Sequence, residues 1–371
     1  MANAAIDGAI AQGNASLCKD LHIDMELSAQ AARLRYINDR IAGITRKRSV
    51  KGFRYMDTHG RPLRDNQHLN RIKALAIPPA WTNVWICPYA NGHLQATGYD
   101  AKGRKQYRYH KSWRVIRDEA KYGHIVDFAL HLPLIRKQVN TDLARPGLCM
   151  EKILALVVTL LEKTMIRIGN DEYARINRSF GITTLRNRHV DVHAGQIVFH
   201  FQGKSRVEHT ITLQNANLAR IVRKMKDLPG QELFQYVDET GHRHSISSSD
   251  VNQYLKNITG SEYTAKDFRT WSGAIHAFEA LISAEAFENQ TQAKKNVTEA
   301  IAVVAEKLGN TPAICRKCYV HPFIIKTYLA GGIFDHVRDD ASSLNKSSKP
   351  WALNPVEQQV LKLLQSQDIN K

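Results

Sequence analysis

A chain of 371 residues with 43% apolar content can bury two sizeable cores, which excludes an intrinsically disordered protein. Its 52 lysines and arginines stand against 35 acidic residues, and the formal charge of +17 suits a polyanionic partner, nucleic acid first. No apolar run approaches the roughly 20 residues of a spanning helix, and residues 1–15 lack the basic-then-apolar order of a secretory signal, so the chain reads as cytoplasmic.

Residues 1–26 mix Ala, Gly, Asn and Ser without periodicity and read as a mobile leader. A helix is expected over Leu27–Ile41. The basic cluster Arg46-Lys47-Arg48 then runs into alternating Phe53 and Tyr55, as in a strand whose edge meets phosphate; a solvated charge run has the same look. Turn residues at Asp57–Gly60 precede a short helix over Leu69–Ala76, stopped by Pro78-Pro79, and strands at Val84–Cys87 and Leu94–Tyr99.

After the turn at Gly103 come Arg104, Lys105, Gln106, Tyr107, Arg108, Tyr109 and His110. Read as a strand, this puts Gln106, Arg108 and His110 on one face and Tyr107 and Tyr109 on the other. Arg and Lys there would neutralise phosphates while Gln or Tyr touched base edges or sugars, although an edge strand protected by charge has the same composition.

From Trp113 the texture changes to longer helical periods, which sets a domain boundary near residue 111. Met150–Ile168 is the most apolar helix and delivers Arg167 at its far end, beside Gly169; a plain C-terminal cap is the alternative role for that arginine. Gly181–Leu185 and Gln196–Phe201 read as strands of a small sheet, with Val207–Leu213 pairing to the second. Between them Gln202-Gly203-Lys204-Ser205 is a hairpin turn with Lys204 at its exposed tip. Gly203-Lys204-Ser205 also suggests a phosphate loop, but position 198, where that motif needs glycine, is Val in a strand, and nucleotide hydrolysis is excluded.

Lys266-Asp267-Phe268-Arg269 enters a helix whose Trp271, Ala274, Ile275, Phe278 and Leu281 form an apolar stripe. A further helix, Ala293–Leu308, ends at Gly309; Thr311 can cap the next, and Pro312 suits its first turn. Tyr319 falls near the end of that short helix, with Arg316 on the same face. Cys315 and Cys318 form a CxxC, but Cys18, Cys87 and Cys149 are isolated, so no second pair supports zinc and no metal is expected. Residues 341–371 read as a Ser- and Lys-containing linker and a last helix, capped at Asn354–Glu357, whose apolar face at Val356, Val360, Leu361 and Leu364 either docks back or meets a partner.

Arginine, a hairpin lysine, a second arginine, a polar residue at a helix start and a tyrosine, in that order, form the site of a known family. The sequence resembles the type IB DNA topoisomerases, in particular their compact poxvirus-like bacterial members, over roughly residues 34–340. The motifs that carry it are Arg-Ile-Gly-Asn-Asp-Glu-Tyr at 167–173, Gly-Ile-Thr-Thr-Leu-Arg-Asn-Arg-His-Val at 181–190, Phe-Gln-Gly-Lys at 201–204 and Lys-Asp-Phe-Arg-Thr-Trp at 266–271. Gly-Arg-Lys-Gln-Tyr-Arg-Tyr at 103–109 is similar to the family's N-terminal DNA-contacting strand.

The resemblance implies an α+β fold: a small sheet-containing N-terminal domain, residues 27–111, and a larger, mainly helical catalytic domain, residues 112–340, of the tyrosine recombinase and type IB topoisomerase class, clamped around duplex DNA. It implies that Tyr319 attacks a phosphodiester to leave a 3′-phosphotyrosyl enzyme, with Arg167 and Arg269 holding the extra charge and Lys204 protonating the 5′-oxygen. Asn310 stands where viral and nuclear relatives have histidine and would donate a neutral amide hydrogen bond. Tyr173 and Lys266 would join Arg104, Lys105, Gln106, Tyr107 and Tyr109 as DNA contacts. The expected partner is duplex DNA, bound by a monomer, without nucleotide cofactor, metal or membrane.

Two other readings use the same residues. A tyrosine site-specific recombinase usually has His three residues before the second arginine, where this chain has Lys266; a catalytically silent DNA-binding protein would need only the basic surface.

Overall fold

The structure is a computed structural model that describes residues 24–50, 52–284, 286–340 and 349–369. The leader, apart from its last three residues, and the linker up to residue 348 lie outside the described residues. Two compact units divide within one long helix, the first ending at His124 and the second beginning at Ile125.

The first unit opens with α1 (Met25–Ala31), capped by Asp24, whose carboxylate accepts the Glu26 and Leu27 amides at 2.8 and 3.0 Å. The expected helix to Ile41 does not form. The chain turns left-handed at Arg33 (φ +55°) and bridges to Gly92, and Asp39 spends its carboxylate on Thr97 at 2.8 Å and Lys105 at 2.6 Å. Tertiary partners outweigh local helix preference here.

Strands β1 (Ile44–Ser49) and β2 (Gly52–Met56), helix α2 (Asn66–Ala74), and strands β3 (Thr82–Ile86), β4 (Leu94–Tyr99) and β5 (Lys105–Tyr109) follow. The strands form one antiparallel sheet in the order β2-β1-β3-β4-β5, with Ile44, Val84, Ile86 and Ala96 packed against Ile72 of α2. The edge strand β5 alternates as expected: Lys105, Tyr107 and Tyr109 are exposed, Gln106 and Arg108 half-buried.

Helix α3 (Lys111–Leu143) runs from the first unit into the second. The second unit is mainly helical around one small sheet. Helix α4 (Met150–Thr164) is buried almost throughout and ends four residues before the expected Ile168, because Met165 turns left-handed (φ +56°). Arg167 therefore sits on an extended segment beyond the helix. Helix α5 (Asp171–Asn177) is capped by Asn170.

Gly181–Leu185 is not the expected strand. The Ile182 and Thr183 amides bond to the carbonyls of Arg167 and Ile168 at 2.8 and 2.7 Å, and the Thr184 hydroxyl bonds back to Gly181, which tightens residues 182–184 into a 3₁₀ turn. Strands β6 (Val190–His193), β7 (Gln196–Gln202) and β8 (Glu208–Gln214) make an antiparallel meander whose β7–β8 turn carries Lys204. Then come α6 (Ala216–Lys226), a two-stranded ribbon of β9 (Gln235–Val237) and β10 (Arg243–Ser245), α7 (Ser248–Thr259), α8 (Ala265–Ser283), α9 (Gln290–Leu308), α10 (Pro312–Cys318), α11 (Pro322–Leu329), α12 (Gly332–Asp340) and α13 (Pro355–Ile369). All five stripe residues of α8 are buried.

Helix α13 docks back onto this unit, burying Val360, Leu361 and Leu364. Its Glu357 receives both guanidinium nitrogens of Arg136 at 2.6 and 3.0 Å, with Glu162 on the third, and lies 3.4 Å from the Trp271 indole nitrogen. No helix among the described residues is long and apolar enough to cross a membrane.

Glu357 is 5% exposed, so removing its cation strands a buried carboxylate. Arg136→Leu is expected to cost about 3 kcal/mol in urea unfolding. Arg136→Leu combined with Glu357→Leu should lose clearly less; an equal or larger loss in the double variant would show that the stranded charge is not the cause.

Candidate active site

Helix α8 organises the site. Arg269, in its second turn, is only 4% exposed. One terminal nitrogen donates to the Leu308 carbonyl at 2.7 Å and the other to the Met165 carbonyl, so a single guanidinium meets the carboxyl ends of both α9 and α4. Helix C-termini carry partial negative charge and welcome a cation there. The third nitrogen, Nε, is buried without a partner.

One turn further along α8, Gly273 leaves room for Tyr319. A Cβ on Gly273 would lie 2.8 Å from Tyr319 Cβ and 2.9 Å from its carbonyl oxygen, closer than real contacts allow. Tyr319 ends α10, which starts as the sequence suggests: the Thr311 hydroxyl accepts the Ile314 amide at 3.4 Å and Pro312 occupies the first turn. The cation over the phenol ring is Arg269, whose Cζ is 5.3 Å from the ring centroid. Arg316, expected on the phenol's face, is exposed.

Arg167 is held by its carbonyl, which accepts the Ile182 amide, and by the next carbonyl, of Ile168, which accepts the Thr183 amide; a side chain at Gly181 would strike the Arg167 carbonyl oxygen at 2.5 Å. Its guanidinium donates to Asn310 Oδ1. Burial first, then the charge of Arg269, lowers its pKa, while Tyr319 acts the other way. An arginine remains protonated under such conditions, so two cations share the site. Asn310 follows the left-handed cap Gly309 and sends its backbone amide to the Ala305 carbonyl at 2.9 Å. With Oδ1 engaged, Nδ2 is left buried without a hydrogen-bond partner. A buried donor in that condition costs about 1–3 kcal/mol and marks a place for an incoming acceptor.

Lys204 is exposed on a tight turn in which Ser205 and Arg206 both have positive φ, +65° and +62°. Such backbone strain in non-glycine residues persists only where the surroundings impose it. Lys204 lines the same cleft as Arg167, Arg269 and His209. Thus Arg167 bonds Asn310, Arg269 lies over the Tyr319 ring, and Lys204 shares a cleft with the two arginines. Nothing in the sequence marks His209; for Gly273 the signal is a glycine inside the apolar stripe of a long helix.

The DNA-contact candidates lie on open surface. Tyr173 is 60% exposed, and Lys266 is exposed at the start of α8. On β5, Tyr107 and Tyr109 stack with centroids 6.0 Å apart, while Arg104 and Lys105 are paired with Asp100 and Asp39 at 2.7 and 2.6 Å. Gln106 donates to the same Asp100 at 3.1 Å. Cys315, whose carbonyl accepts the Tyr319 amide at 2.9 Å, is buried, and burial pushes its thiol pKa up. No cluster of three or more metal-ligating side chains occurs among the described residues.

Residues 110–329 match the family model of the eukaryotic DNA topoisomerase I catalytic core, and residues 52–100 match that of the bacterial DNA topoisomerase IB N-terminal domain. The chain is 33% identical over 307 residues to DNA topoisomerase 1B of Acanthamoeba polyphaga mimivirus, covering 80% of this chain and 91% of that one. It is 24% identical over 269 residues to DNA topoisomerase 1B of vaccinia virus, covering 71% and 82%. The chain belongs to the type IB DNA topoisomerases, the family its motifs resemble.

His189 supports the wall of the cleft. Its ring packs on Phe180 at 4.4 Å and Nδ1 accepts the Arg186 amide at 3.0 Å. Burial, helped by Arg188 and Arg186, lowers its pKa to about 4. The unfolded chain, titrating near 6.5, then binds more protons than the folded one between about pH 6.5 and 4, so stability is complete above that window and falls with pH through it. His189→Phe should remove on the order of 2 kcal/mol of this acid-side loss. Parallel stability–pH curves for wild type and variant would refute the assignment.

Proposed function

We propose that this chain relaxes supercoiled duplex DNA by cutting one strand, letting it swivel and resealing it. The observation that carries the reading is the buried, partnerless Nδ2 of Asn310 beside Arg167, with Arg269 over the Tyr319 ring. Such a set awaits an anion with several oxygens.

Tyr319 Oη attacks the phosphorus, releasing its proton to solvent water, and the 5′-oxygen leaves with a proton from Lys204 Nζ. The bond from phosphorus to the 5′-oxygen breaks as that to the phenol oxygen forms. The five-coordinate transition state gains negative charge, which Arg167 and Arg269 stabilise from fixed positions, and Asn310 Nδ2 donates to a non-bridging oxygen. The 3′-phosphotyrosyl bond retains the energy of the broken linkage, so the free 5′-hydroxyl can reverse the reaction without ATP. Charge relief by guanidiniums makes the step independent of a metal.

Exposed Tyr173 and Lys266, with Arg104, Lys105, Gln106, Tyr107 and Tyr109 of the first unit, are the proposed DNA contacts; most meet phosphate or sugar, which positions the duplex without reading its sequence. The catalytic unit is of the class shared with tyrosine recombinases, and Lys266 in place of their usual histidine favours the topoisomerase reaction. We place the enzyme as a monomer on nucleoid DNA in the cytoplasm.

Plasmid relaxation in EDTA without ATP tests the reading. Wild type should relax the plasmid and form a covalent DNA adduct, and Tyr319→Phe should do neither. Asn310→Ala should slow single-turnover cleavage about 100-fold, as removal of one preorganised donor does elsewhere. A Tyr319→Phe enzyme that still relaxes DNA sinks the proposal, and an Asn310→Ala enzyme at wild-type rate removes Asn310 from it.

A further inference from the structure

We propose that His209 is a positioning residue: its ring, seated between Gly203 and Gly309, sets the spacing of the turn bearing Lys204 and the helix end bearing Asn310. The inference rests on the catalytic reading above.

Each of the two glycines immediately precedes one of the proposed catalytic residues, and both are shaped around the same ring. A Cβ on Gly203 would lie 2.6 Å from His209 Cδ2 and Nε2; a Cβ on Gly309 would lie 2.5 Å from His209 Cε1. The outer end of one imidazole, Cδ2–Nε2–Cε1, therefore packs against the backbone of two separate elements. Gly309 has a second reason to be glycine, since it caps α9 in the left-handed region at φ +57°. Gly203 has none: its φ of −92° suits any residue, so the ring alone excludes a side chain there.

The third side of the ring is fixed as well. His209 lies opposite Phe201 across the β7–β8 ladder, and the two rings stack at 5.1 Å with 21° between planes. Burial, with Arg167 and Arg269 adding to it, keeps the imidazole below its usual titration range. It is therefore neutral at neutral pH and fills space without adding a further cation. The arrangement matters because Lys204 sits on a strained, exposed turn. An error of about 1 Å in the place of a proton donor is enough to slow a reaction about 100-fold.

The test is single-turnover cleavage of a DNA duplex by the full chain, with DNA affinity measured in parallel. Wild type and Tyr319→Phe come first; an adduct from the former alone establishes the catalytic reading, so that the remaining arms test only His209. His209→Ala should cleave roughly 10- to 100-fold more slowly with affinity little changed, and His209→Phe, which keeps a stacked ring, should recover to within about fivefold of wild type. Gly203→Ala should also slow cleavage, and less so in the His209→Ala background, where the ring it strikes is gone.

Wild-type cleavage by His209→Ala overturns the proposal. So does a His209→Phe enzyme as slow as His209→Ala, which would mean that the imidazole takes part in proton transfer. Strictly additive effects of Gly203→Ala and His209→Ala would overturn it too.

Discussion

The buried guanidinium of Arg269 is the interaction on which the site depends. It bonds the carbonyls of Met165 and Leu308 and lies over the Tyr319 ring. Arg167 is two residues beyond Met165, and Asn310 two beyond Leu308. One side chain thus fixes the ends of two helices whose next residues are functional candidates, together with the tyrosine itself. Burying a charge costs several kcal/mol unless polar groups replace water, and the two helix ends supply them without a carboxylate. A carboxylate partner would have cancelled the charge that the proposed reaction uses.

Local signals in the sequence go far toward this site and stop at definite points. Gly309, Thr311 and Pro312 announce a helix end and a new helix start, and the structure caps both there. The stripe of α8 is legible because each of its members packs into one core. Gly181–Leu185 misleads because its short apolar run has β character, yet its amides find partners in residues 167 and 168 rather than in a neighbouring strand. The early end of α4 is equally hidden: Met165, a residue that rarely turns left-handed, caps the helix there, and its carbonyl accepts Arg269, about 100 residues away in sequence. Gly273 and His209 escape notice for a related reason, since each matters through a neighbour that sequence distance conceals.

Helix α13 shows the same dependence on distant partners. Its apolar face alone left docking and partner binding equally open. The Arg136 fork to Glu357 and the Trp271 contact decide it, and they bring the last described helix onto α8, the one that carries Arg269 and Gly273. The support of the candidate site therefore extends to a segment beyond the 110–329 match to the family's catalytic core.

Asn310 follows from the same electrostatics. Near two guanidiniums, a group that can gain a proton adds repulsion when it does so; at nearby His209, burial first and then Arg167 and Arg269 lower the pKa. A carboxamide has fixed polarity at every pH: Oδ1 accepts from Arg167 and Nδ2 must point onward as a donor. That donor and Arg269 Nε are both buried without partners, in a fold that satisfies the neighbouring backbone amides of Ile182, Thr183 and Asn310. Buried donors without partners, beside two cations and a phenol, suit a binding site for an anion.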